Sequence, residues 1–204
     1  MARSIAIIGA GGMGRDALLV LDALDLSGNI RAFYEQASYW RDRCIHSIPV
    51  RPLHELDTTS SDVLVALGDG ELRRTIIQSL PRDTRYPTFV HPSTIVGRKV
   101  ELGPGTLVSA GCILTTDITI GRHVQINIGT SIAHDCVVGD FSTLSPGVSL
   151  SGNCIVEQLA FLGTRCVVRE KCRIGAGTTI GMGAVVVRDA LDGVWVGNPA
   201  RRRQ

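Results

Sequence analysis

The sequence predicts two units in series: a small α/β, Rossmann-like domain over residues 1–90 and an all-β parallel β-helix over residues 91–204. Three observations predict this. A glycine-rich turn, Gly9-Ala10-Gly11-Gly12-Met13-Gly14, sits between a short apolar strand and an amphipathic helical segment. From Val96 to Val186 every sixth residue is Ile, Leu or Val. The chain is also rich in glycine, 23 of 204 residues, yet only 4% aromatic, so its core must be filled by small and branched side chains in repeated tight turns.

In the first unit, residues 4–8 read as a strand and Arg15 to Leu24 as a helix, with Ala17, Leu18, Leu21 and Leu24 on one face. Ile30 to Tyr34 reads as a second strand, ending at Glu35. Residues 63–67 read as a third, followed by Gly68 and a helix around Glu71 to Leu80. Thr88 to Val90 reads as a fourth, leading into His91-Pro92. The glycines allow backbone N–H groups to approach a phosphate at the helix N-terminus. A unit of about 90 residues is half of what a dinucleotide fold needs, so one nucleotide or a nucleotide-sugar suits it better than NAD.

In the second unit, three hexads close one triangular coil of about 18 residues, and the repeat spans about five coils. The position two before each aliphatic is small or β-branched, as a crowded pleated interior requires. Five of the six cysteines, Cys112, Cys136, Cys154, Cys166 and Cys172, fall in that column and read as small buried hydrophobes. The position after the aliphatic is often glycine (Gly97, Gly103, Gly121, Gly139, Gly163, Gly175, Gly181), expected to permit the sharp corners.

Charge and composition exclude several functions. Lys plus Arg is 21 and Asp plus Glu 19, a net charge of +2, so no strongly basic nucleic-acid surface is expected. No apolar run is long enough to span a membrane, and residues 4–8 are too short for a signal-peptide core, so a cytoplasmic location is expected. There is no CxxC pair, and only His123 and His134 follow His91, so a three-histidine zinc site is not expected and no metal is assigned.

Four segments together resemble the nucleotide-sugar acetyltransferases of bacterial glycan biosynthesis, of UDP-4-amino-sugar and sialic acid type, within the hexapeptide-repeat left-handed β-helix superfamily. They are residues 7–12, the stretch Ile132 to Phe141 containing His134-Asp135-Cys136, Ser151-Gly152-Asn153, and Val196 to Arg201. The resemblance implies a left-handed coil, a homotrimer with active sites between subunits, and acetyl-CoA as cosubstrate. It implies His134 as general base, Asp135 as the acid that raises its basicity, and Asn127 nearby. It places a UDP-sugar at Gly9, Ala10, Gly11, Gly12, Met13, Glu35, Gly68 and Arg73. Acetyl-CoA would meet Thr143, Gly152, Thr164, Gly181 and Met182. The chain departs from the family pattern at Thr143, where a second histidine is common, at Tyr34-Glu35, where two aspartates are usual, and at Met13, where a histidine is common.

The chemistry fits these residue types. Acyl transfer from a thioester needs a base near the nucleophile and donors near the carbonyl oxygen. Residues 18 apart should stack on adjacent coils, which sets His134 between Thr116 and Gly152, and Gly152 is expected to leave open space for the thioester. His123 is expected on a solvated outer corner, His46 and His54 on the surface, and Arg201-Arg202-Arg203 as a solvated tail or a clamp on CoA phosphates. The expected activity is N-acetylation of a UDP-linked 4-amino-deoxy sugar without an acyl-enzyme. O-acetylation of a sialic-acid-like sugar and a non-catalytic nucleotide-sugar-binding scaffold stand as alternatives.

Overall fold

A computed structural model describes residues 3–203. β1 (Ser4–Ile8) is followed by α1 (Gly12–Ala23), β2 (Ile30–Glu35), a hairpin of β3 (Cys44–Ile45) and β4 (Ile48–Pro52), β5 (Ser61–Val65) and α2 (Gly70–Ser79). They form one sheet in the order β3-β4-β2-β1-β5. β1 runs parallel to both β2 and β5. Ile5 to Ile8 are all buried because helices cover both faces, as a parallel sheet requires. Ile5 and Ile7 pack with Ala17, Leu18 and Leu21 of α1, while Ala6 and Ile8 pack with Val63 and Ile76 on the α2 side. α1 starts before Arg15, inside the glycine turn, and β5 ends at Val65, two residues short of the apolar run.

The hairpin was not foreseen. It closes through His46 and Ser47 at φ 47° and 67°, a left-handed pair formed without the usual glycine or asparagine. Phe89–Val90 also differs from expectation. It pairs with Leu107–Val108 and so belongs to the β-helix rather than to the first sheet.

From there the chain winds through three parallel sheets of short strands, with six, five and eight members. Up to Val186 paired strands lie 18 residues apart, as Leu114 with Ile132, Thr119 with Val137 and Gln125 with Thr143. From Val108 on, the repeated aliphatics and the five cysteines of the column beside them form one continuous core, whereas Val96 in the first coil is exposed. The corners differ from expectation. The glycines after the aliphatics are not left-handed. A Cβ on Gly97 would fall 1.5 Å from Thr115 O, and one on Gly139 would fall 2.4 Å from Gln158 N. They are glycines because successive coils approach closely there. The left-handed residues are every sixth one from Lys99 to Gly183, at φ 52–72°. Many are not glycine, including Asp117, His123, Asp135 and Asn153. At the far end Val194–Val196 joins Thr179–Ile180, and Arg201–Arg202 folds back antiparallel on it.

Candidate active site

A cavity of about 330 Å³ opens beyond the carboxyl ends of β1, β2 and β5. The strand order switches direction there, which is where open α/β sheets bind ligands. Gly9, Ala10 and Gly11 form one wall, Glu35, Gln36 and Tyr39 a second, and Leu67, Leu72 and Ile76 a third. Gly9 has φ +106°, and a Cβ on Gly14 would fall 1.9 Å from Gly9 O, so the turn can be this tight only with glycines. α1 begins at Gly12 with no side-chain cap and no acid in its first turn, which leaves its N–H groups free for an anion. Arg43 Nη2 donates to Glu35 Oε1 at 2.9 Å, while Glu35 Oε2 is buried with no partner among the described residues. Met13 and Gly68 face each other across the turn beside this cavity, with Met13 Cε 3.8 Å from where a Gly68 Cβ would stand.

His134 and Asp135 occupy a corner of the β-helix, half exposed. Asp135 is left-handed at φ 59°, a conformation that aspartate tolerates. Nδ1 of His134 lies 2.7 Å from Asp135 Oδ2. A carboxylate only accepts, so with a single ring proton Nδ1 carries the hydrogen and Nε2 keeps the lone pair. Gly152 lies on the next coil against this ring, and a Cβ there would fall 2.6 Å from His134 Nε2 and Cε1. The space at Gly152 is therefore filled by the imidazole itself, not left open as expected. Asn127 is buried and donates from Nδ2 to Leu144 O at 2.8 Å. No hydrogen bond joins it to His134 among the described residues.

Two expected ligand contacts turn inward. Arg73 is 0% exposed, and its guanidinium donates to Leu67, His123, Phe141 and Ser142 carbonyls and to the Thr143 hydroxyl. Burial pulls its pKa down to about 10, so it stays charged at neutral pH. Expected among the substrate contacts, Arg73 does not reach the cavity. Thr143, expected at acetyl-CoA, is also buried, and its Oγ1 donates to Gly68 O at 2.8 Å. The other expected acetyl-CoA residues stay on the surface. Thr164 lines a shallow groove with Ile128, Gly129, Pro146, Gly147 and Arg165, and Met182 is exposed beyond it. Gly181 packs beneath Val196.

His123, expected in solvent, is 3% exposed, stacked on Phe141 with ring centroids 5.4 Å apart and edge-on to Tyr86. Burial and the Arg73 and Arg122 cations lower its pKa to about 4. His46 and His54 are exposed, as expected. Burial raises the pKa of Cys112, and that of Cys166 to about 12, as suits inert packing. Arg202 is held by Asp192 at 2.9 Å rather than lying free. No group of three or more metal-ligating side chains is present among the described residues.

A nucleotide-sized cleft at a strand switch point, joined to a β-helix that presents an oriented histidine at a corner, defines an acyltransferase that works on nucleotide-linked substrates. The comparisons agree. The family described as the PglD N-terminal domain matches residues 4–80. WeeI from Acinetobacter baumannii AYE is 30% identical, covering 98% of this chain and 99% of its own, with a TM-score of 0.89. PerB from Caulobacter crescentus, solved with CoA and GDP-perosamine, is 31% identical over 100% of this chain and 99% of its own, with a TM-score of 0.85. The acetyltransferase domain of PglB from Neisseria gonorrhoeae FA1090, solved with acetyl coenzyme A, is 28% identical over 100% of both chains, with a TM-score of 0.87. No curated protein sequence matches the chain. The chain belongs to the nucleotide-sugar N-acetyltransferases of the hexapeptide, left-handed β-helix type.

Proposed function

We propose that this enzyme transfers the acetyl group of acetyl-CoA to the 4-amino group of a UDP-linked amino-deoxy sugar, with His134 as general base. The observation that carries this is the His134–Asp135 pair, which leaves the lone pair on Nε2 of a half-exposed ring, on a β-helix joined to a nucleotide cleft. Two relatives support the donor and the acceptor class: PerB was solved with CoA and GDP-perosamine, and the PglB domain with acetyl coenzyme A.

The amine attacks the thioester carbonyl, and the new N–C bond forms as His134 Nε2 takes the amine proton, directly or through water. The C–S bond then breaks and the thiolate of CoA leaves. Asp135 favours the imidazolium as it forms and holds the tautomer. No acyl-enzyme forms, because the cysteine next to this pair, Cys136, is buried and donates to Ser151 O.

The free N–H groups of α1 suit a diphosphate, and the unpartnered Glu35 oxygen suits a ribose hydroxyl. Met13 and Gly68 then border the path of the sugar. His134, Asp135 and Gly152 lie on one corner flanking the six-stranded sheet, and Thr164, Gly181 and Met182 on the other. The outward side of that sheet carries Ile95, Ile113 and Val167 exposed to water, with the hydrogen-bonded Ser131 and Ser149 between them. Packing three copies on this apolar face would bring the two corners of neighbouring subunits together around acetyl-CoA, which supports a homotrimer with shared sites.

The test is an acceptor panel read by mass spectrometry. UDP- and GDP-linked sugars carrying a 4-amino or a 4-hydroxyl group are offered with acetyl-CoA. The proposal predicts addition of one acetyl group to the UDP-linked amine. Acetylation of the GDP-linked amine alone would overturn the nucleotide assignment, and acetylation of the hydroxyl sugars alone would overturn N-acetylation.

A further inference from the structure

The loop after β5, residues 66–69, forms one side of the nucleotide cleft through Leu67. Carbonyls in and beside this loop are held by side chains from elsewhere in the fold. Gln125 Nε2 donates to Val65 O at 3.0 Å, Arg73 Nη1 to Leu67 O at 2.5 Å, and Thr143 Oγ1 to Gly68 O at 2.8 Å. Arg73 also grips the β-helix. Its Nε donates to His123 O at 2.9 Å, its Nη2 to Phe141 O and Ser142 O at 2.6 and 3.0 Å, and its Nη1 to Thr143 Oγ1 at 3.1 Å. Gly70 presses on the same coil, where a Cβ would fall 2.3 Å from Phe141 O. Phe141, Ser142 and Thr143 lie on the coil that begins at Ser131 and carries His134.

A buried charge is costly, and among the described residues no carboxylate hydrogen-bonds to this one; carbonyl dipoles compensate it in one fixed geometry, with the Asp69 charge nearby. The Thr143 hydroxyl accepts from Arg73 while donating to Gly68, so each bond fixes the next. We infer that Arg73 and Thr143 are positioning residues that lock the wall of the nucleotide cleft onto the coil bearing the catalytic base. This rests on the proposed function. Transfer needs the amine, thioester and base in register, and a misplacement of about 1 Å can cost on the order of a hundredfold in rate.

The experiment compares wild type, Thr143→Val, Thr143→Ser and Arg73→Lys as full-length enzymes, measuring kcat and KM for the nucleotide sugar and Kd for acetyl-CoA. Thr143→Val keeps the shape and removes the hydrogen bonds, so it remains folded if Arg73→Lys does not. The expected result is a loss in kcat of about tenfold or more in Thr143→Val, with acetyl-CoA Kd unchanged within about twofold and most of kcat restored in Thr143→Ser. Wild-type kcat in Thr143→Val would overturn the inference, as would a parallel loss of acetyl-CoA affinity, which marks a general disturbance. If wild type turns over no nucleotide-linked amino sugar, the proposed function fails and the inference with it. An active wild type matched by Thr143→Val sinks the inference alone.

Discussion

At the level of single residues, the base proposed above, His134, depends on what surrounds it. Asp135 fixes its tautomer, and Gly152 gives its ring a place to lie. Gly152→Ala puts a methyl where the imidazole stands, so the ring must turn away. We expect kcat to fall by about tenfold or more while the protein stays folded, checked by steady-state kinetics beside a thermal melt. The second histidine of the β-helix makes a separate prediction. His123 is held neutral down to about pH 4, whereas the unfolded chain takes up the proton near 6.5. Between those values the unfolded state binds more protons, so stability rises with pH. The contribution is complete above about 6.5 and is lost as the pH falls through about 4. Melting temperatures measured across that window should drop for wild type, and His123→Phe should flatten the slope. His134 and Asp135 were legible because a short motif carries them. The inward turn of Arg73 and Thr143 was not, since no local pattern shows that four carbonyls converge on one guanidinium.

At the scale of the element, the six-residue period made the β-helix readable, because one coil must repeat the next to pair its strands. The same period concealed which glycines do what. Those after the aliphatics make room for the neighbouring coil, while the left-handed corners two residues later accept aspartate, asparagine and lysine. Two substitutions separate these roles. Gly139→Ala drives a Cβ to 2.4 Å from a backbone nitrogen and should cost about 1–3 kcal/mol as overpacking. Gly111→Ala meets open space at φ +69° and should cost only about 1–2 kcal/mol of backbone strain. Urea denaturation of both variants measures the difference, and a costlier Gly111→Ala would reverse the assignment. The β3–β4 hairpin was invisible for a local reason: its turn is made by His46-Ser47, which carry no turn signature.

For the molecule as a whole, the two units are joined through buried polar contacts. The boundary was blurred in sequence because Phe89–Val90 looks like any short strand, and only its partner, Leu107–Val108, assigns it to the β-helix. The apolar outer face of the six-stranded sheet makes a prediction about assembly. Ile113→Glu places a charge in that face and should convert a trimer into smaller species with loss of activity, as sedimentation velocity and the acetylation assay would show. A wild type that sediments as a monomer would remove the shared-site arrangement.

The proposed reaction has His134 deprotonate a sugar amine that then attacks acetyl-CoA directly. Its most direct test is release of CoA thiol from acetyl-CoA with a UDP-4-amino-4,6-dideoxy sugar, for wild type and His134→Ala. Wild type should release thiol only with the sugar present, and the variant should fall by about a hundredfold or more, with acetyl-CoA still bound by both. Equal release by the two proteins would contradict it.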